Sequence, residues 1–89
     1  MNDVNSLITI AEYGKVHIKL KQVMEEKGIT RNHLADVSGT RFEVINRWYH
    51  DNIAKLDLDV LARICYVLNC VPEDIISYEK PVLKQTAVK

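Results

Sequence analysis

From Ile18 onward, apolar side chains return every three or four positions, the period of a helix that buries one face. Leu20, Val23, Met24 and Lys27 share one stripe, and Gly28 stops it in the left-handed conformation. Thr30 suits the N-cap of a second helix, Arg31 to Ser38, with Leu34, Ala35 and Val37 apolar and Gly39 as its end. Thr40 followed by Glu43 fits a capping box. It predicts a third helix through about His50, with Val44, Ile45 and Trp48 inward. After a loop over residues 51–57, Asp57 caps a fourth helix, Leu58 to about Leu68, whose stripe is Leu58, Leu61, Ile64, Cys65 and Leu68. Asn69 and Cys70 turn the chain. Pro72 then opens a fifth helix to about Tyr78, with Ile75 and Ile76 inward, and Pro81 ends the pattern.

Before Ile18 the period is different. Leu7, Ile8 and Ile10, with Val16 and Ile18, fit two short strands around a turn at residues 12–15. The same residues fit an arm that becomes helical, and Pro81-Val82-Leu83 is a candidate pairing partner for it. The expected architecture is all-α, a compact five-helix bundle over residues 18–80. An N-terminal arm of residues 1–17, with short strands as one option, precedes it, and a tail of residues 81–89 follows.

Eighty-nine residues make one domain, with no room for a catalytic module beside a regulatory one. The net charge of zero excludes a polybasic coat and, taken alone, argues against a nucleic-acid binder. The layout changes that picture. Residues 28–56 carry Arg31, Arg41 and Arg47 and sum to +1, whereas residues 57–80 sum to −3. Arginine favours forked contacts with phosphates and guanine edges. Cys65 and Cys70 lack the paired short spacings of a four-ligand zinc site and read as small hydrophobes. His17, His33 and His50 stand near no nucleophile, and Glu25-Glu26 belongs to a solvated face. No apolar run approaches the ~20 residues of a membrane span. The chain is therefore expected to be a cytoplasmic protein and not an enzyme, with no cofactor, metal, membrane or small-molecule partner.

The segment from Thr30 to Trp48 carries the most information. Ala35 lies four residues before Gly39, with Leu34 beside it; Ile45 follows six residues after the glycine and Trp48 three later. Two helices that cross steeply need a small residue at the crossing, here Ala35. The turn needs a positive φ, which Gly39 supplies without strain. Leu34, Ile45 and Trp48 fill the angle and lock it. That is a helix-turn-helix, and it places the third helix where a DNA major groove receives it. Val44, Ile45 and Trp48 turned inward leave Arg41, Glu43, Asn46, Arg47 and His50 outward. Arg47 can fork onto guanine, Asn46 onto adenine, Glu43 can accept from cytosine, and Phe42 can pack on a thymine methyl. The amino ends of the second and third helices, at Thr30 and Thr40, offer N–H groups to phosphates. Tyr49 divides evenly between surface packing and a phosphate contact.

Three stretches, KQVMEEKGITRNHLADVSGT, EVINRWY and LDVLARICYVLNCVPEDIISYE, match in order and spacing. Through them residues 18–78 resemble the phage-repressor/Cro type of helix-turn-helix, the XRE family. The resemblance implies a lambda-repressor-like fold and a repressor-type transcriptional regulator that binds double-stranded DNA. It implies that Arg41, Phe42, Glu43, Asn46 and Arg47 read bases. Thr30 and Arg31 would meet the phosphate backbone, as would the loop bearing His50, Asn52 and Lys55. A homodimer on a two-fold operator is expected, joined through the fifth helix and tail or through the arm, where Leu7, Ile8, Ile10 and Val82 need a partner. The chain departs from the family pattern at Arg41, where a Ser or Thr cap is usual. It departs again in Tyr49-His50-Asp51-Asn52, which lacks the usual glycine. The alternative, from another class, is a protein-interaction module, such as an antitoxin-like partner or an adaptor with a degenerate helix-turn-helix.

Overall fold

The computed structural model describes residues 13–81. Its elements are β1 (Lys15–Ile18), α1 (Leu20–Lys27), α2 (Arg31–Ser38), α3 (Phe42–Tyr49), α4 (Leu58–Leu68), α5 (Pro72–Ile75) and β2 (Ile76–Glu79). The expected arm strand at Leu7–Ile10 and the tail from Val82 lie outside the described residues.

Each helix turns its apolar stripe to one core. Leu20 and Met24 of α1, Leu34 of α2, Ile45 and Trp48 of α3, Ile64 of α4 and Ile75 of α5 are its most deeply buried large side chains. Ala35 is buried with them, as a close approach of α2 requires. The stripe of α4 is phased differently from expectation: Val60 is buried and Leu58, at the first helical position, is 71% exposed. In α2, Ser38 takes the inward place and Val37 faces out. The Ser38 hydroxyl donates to the Ala35 carbonyl, so no polar group is left unpaired by its burial.

The fifth helix stops three residues short of the expected Tyr78. Ile76 takes an extended backbone, φ −119° and ψ 134°, and residues 76–79 form a strand. Val16 and Ile18 are in a strand, as the arm pattern suggested. Its partner is β2, antiparallel, with Lys15 opposite Glu79, Val16 opposite Tyr78, His17 opposite Ser77 and Ile18 opposite Ile76. The reason is tertiary: Ile75-Ile76-Ser77-Tyr78 suits a strand as well as a helix, and β1 offers it hydrogen-bonding groups that a further helical turn would leave unused. Gly14, at φ 86°, lets the chain pass close to this pair, because a Cβ there would collide with the Glu79 carbonyl. The all-α expectation therefore holds for the body of the chain, and the small two-stranded sheet is added to it.

Candidate nucleic-acid interface

α2 and α3 meet across a turn of three residues, Gly39 to Arg41. Gly39 sits at φ 65°, and the Thr40 N–H returns to the Ala35 carbonyl at 3.0 Å, closing the end of α2. Arg63 reaches this turn from α4. Its Nη1 donates to the carbonyls of Ser38 (3.3 Å) and Gly39 (2.7 Å), and its Nε is 2.9 Å from Asp59 Oδ2. A cation placed on the carboxyl end of α2 complements the helix dipole and fixes the turn. In the sequence, Arg63 is visible only as one of the positive charges within the −3 sum of residues 57–80. Its i,i+4 spacing from Asp59 was the available signal, but nothing local shows its reach to the turn.

α3 begins one residue later than the capping box required. Its N-cap is Arg41, with φ −65° and ψ 145° and no side chain bonded to the first turn. The Thr40 hydroxyl instead makes a long bond, 3.5 Å, to the Ser38 carbonyl. The inward phase of Ile45 and Trp48 decides this, because it makes Arg41 the first residue whose carbonyl enters the helix, receiving Val44 and Ile45 N–H. The box residues thus stand out of register by one. The first turn of α3 is left without a side-chain cap, with the exposed Arg41 at its N-cap, and the exposed Arg47 stands in its last turn. By contrast, Thr30 Oγ1 caps α2 by accepting from the His33 N–H at 3.1 Å.

The outward face of α3 carries Arg41, Phe42, Glu43 and Arg47 exposed, with Phe42 at 40%. Asn46 is half-buried, and its Oδ1 accepts from Arg31 Nη1 at 2.6 Å. Arg31 is also half-buried, its guanidinium carbon 4.5 Å from the centre of the Tyr49 ring. Thr30, His50, Asn52 and Lys55 are exposed and Thr40 is half-buried. His50 Nδ1 donates to the Asn46 carbonyl at 2.9 Å. The Asn52 N–H ends α3 on the Arg47 carbonyl at 2.8 Å.

Beyond α3 the chain turns at Asp51, a left-handed residue at φ 56°, within the stretch that lacks the family's usual glycine. Its carboxylate explains the exchange. Oδ1 accepts from the Ile18 N–H at 2.8 Å, and Oδ2 is 2.8 Å from His17 Nδ1. The other ring nitrogen of His17 is 2.6 Å from Glu79 Oε1. Both nitrogens face carboxylates, so only the imidazolium satisfies both. The bonds to Asp51 and Glu79 raise the His17 pKa above its ordinary value. Burial opposes ionisation of Asp51, but the bonds from His17 and the Ile18 N–H outweigh it and hold the carboxyl below its ordinary value. This clasp pins the loop after α3 to β1 and β2.

Cys65 and Cys70 are free thiols, half-buried and packed against the core. Burial, then the neighbouring Cys65, pushes the Cys70 thiol up to about 11, so it is uncharged at neutral pH. Among the described residues no group of three or more His, Cys, Asp or Glu could hold a metal ion, and no helix is long and apolar enough to cross a membrane.

Two helices crossed over a left-handed glycine, the second with an open amino end and an outward basic face, define a helix-turn-helix protein. The family model of the Cro/C1-type helix-turn-helix DNA-binding domain matches residues 19–81, and the chain belongs to that family. Among solved structures it is similar to a candidate DNA-binding protein from Bacteroides fragilis. The two are 28% identical with a TM-score of 0.63, over 71% of this chain and 100% of that one. It also shares its fold with the transcriptional regulator VanUg, at 20% identity and a TM-score of 0.62, over 76% of this chain and 89% of that one. No curated protein matches the chain.

Proposed function

We propose that the protein is a sequence-specific transcriptional regulator that lays α3 in the major groove of double-stranded DNA. The observation that carries this is the outward face of α3: an uncapped first turn with Arg41, Phe42 and Glu43, and Arg47 one turn further along, all exposed. Arg47 forks onto a guanine edge, Glu43 accepts from a cytosine amine, and Phe42 packs on a thymine methyl. Thr40, Asn52 and Lys55 line the backbone beside them, and the open N–H groups of α3 face phosphate. A homodimer on a two-fold operator, with half-sites roughly 34–36 Å apart, fits this family geometry. The exposed Tyr13, Val16, Leu56 and Tyr78 near the sheet support it as an apolar face suited to a second copy.

Selection of bound duplexes from a random pool is the test. Arg47→Ala should cost roughly 1–3 kcal/mol of affinity for the selected site and relax one base pair, with the thermal midpoint held. Affinity should also fall steeply with salt as counterions are released. Unchanged affinity in Arg47→Ala removes that residue from the reading face. A pool with no enriched duplex at low salt defeats the DNA reading and favours a protein-interaction module.

A further inference from the structure

Tyr49 is a half-buried aromatic residue at the last position of α3, and its ring is where three helices meet. Arg31, at the start of α2, lies over it with its guanidinium carbon 4.5 Å from the ring centre. Lys21, in the first turn of α1, has its Nζ 5.8 Å from the same centre. His50 packs edge-on against it, with centroids 5.2 Å apart and planes at 75°. Among the described residues no carboxylate pairs with Arg31, so the face of the ring is the group that holds its charge in place.

The held guanidinium then acts on Asn46. A guanidinium has donors only, and an amide side chain has one accepting end and one donating end. The 2.6 Å contact from Arg31 Nη1 therefore fixes which end is which. The oxygen turns toward Arg31 and the NH2 group turns away. Reversing the amide would set donor against donor beside a half-buried charge. Asn46 on its own fits adenine through both ends at once. With its oxygen engaged it offers a groove a donor.

We propose that Tyr49 is a positioning residue for base readout. Through Arg31 it orients Asn46 to donate to an acceptor edge: N7 or O6 of guanine, O4 of thymine, or N7 of adenine. Cytosine, which presents only its amine there, is excluded at that position. This rests on the DNA reading given above, and it assigns Arg31 to the protein side of the interface instead of to a phosphate.

The test compares the wild type with Asn46→Ala, Arg31→Met, Tyr49→Leu and Tyr49→Phe. Base frequencies from random-duplex selection, the salt dependence of affinity and the thermal midpoint are measured for each. Asn46→Ala locates the base pair concerned. Arg31→Met and Tyr49→Leu should lower discrimination against cytosine at that same pair by roughly two- to tenfold, the value of one hydrogen bond. Tyr49→Phe keeps the ring face and should keep the wild-type profile. A merely structural role would shift the midpoint and leave the base profile alone, which overturns the proposal. So does an Arg31→Met protein whose salt slope falls by about one with no change in profile, the signature of a phosphate contact. A Tyr49→Phe protein that behaves like Tyr49→Leu overturns it as well. If the wild type itself enriches no duplex, the underlying DNA reading has failed, and that outcome is told apart by the absence of any profile to alter.

Discussion

α3 and α4 are consecutive helices of one core, yet their amino ends are built in opposite ways. α4 starts beneath Asp57, whose Oδ1 accepts from the N–H groups of Asp59 (2.9 Å) and Val60 (3.2 Å). A second acid, Asp59, sits in its first turn. α3 also has an acid, Glu43, in its first turn, but it starts at Arg41 with no side chain bonded to its first N–H groups. Capping an amino end is worth about 1 kcal/mol, so an end left open forgoes stability that one substitution would supply. The difference separates a helix whose amino end is satisfied from within from one whose amino end is left open, the end that the proposed reading turns toward DNA. The charge layout agrees in part: Arg41 and Arg47 stand on the open helix, while the acidic surplus belongs to the closed helix, whose one basic residue is Arg63, together with α5 and β2.

The strongest way to break the contrast is to remove what the two helices have in common. Trp48 is buried in the same cluster as Ile64 of α4. Trp48→Ala should therefore lower stability by about 3–5 kcal/mol and loosen both ends together, as denaturant unfolding would record. A sharper intervention exchanges the two amino ends. Arg41→Asp places a good cap where none exists, so the thermal midpoint should rise by the equivalent of about 1 kcal/mol while DNA affinity falls. Asp57→Ala should do the reverse, losing about 1 kcal/mol of stability and leaving the base profile intact. If Arg41→Asp bound DNA as well as the wild type, the open end would have no bearing on binding.

The smallest effect concerns the clasp that holds the loop after α3. The raised pKa of His17 means that its contribution is full below the ordinary 6.5 and is lost as pH rises through the folded value. The lowered pKa of Asp51 means that its contribution is full above the ordinary 3.8 and is lost as pH falls through the folded value. The clasp is thus strongest between 3.8 and 6.5. Thermal midpoints should decline modestly as pH rises above 6.5, and His17→Gln should flatten that decline.

Much of the fold was legible in the residues. The glycine that turns α2 into α3, the small Ala35 beside the crossing and the buried Trp48 all come from spacing, because sterics at a helix crossing leave few alternatives. The lower end of the chain was not legible in the same way. Residues 76–79 are too short to show a period, and the strand that captures them comes from the other end of the described chain. The capping box at Thr40 satisfied a local rule that the burial of Ile45 and Trp48 overrode. The partners of Arg31 and Arg63 were hidden for a third reason. A long side chain reaches wherever the fold allows, and sequence shows its type but not its direction. Asp51 lay between these cases: the missing glycine was visible, but the carboxylate that justifies it depends on β1 lying alongside.

The pairing of β1 with β2 has a mechanical consequence. Lys15 stands opposite Glu79, so the two ends of the described sheet lie side by side, like a bead whose thread passes through one side. Such a unit can be spliced into a loop of a larger protein, or have its ends joined and be reopened elsewhere, without stretching the helices. Under tension the arrangement is weak. A pull on both ends opens the strand pair from Lys15 toward Ile18, one hydrogen bond at a time, so the sheet yields before α3 feels any load.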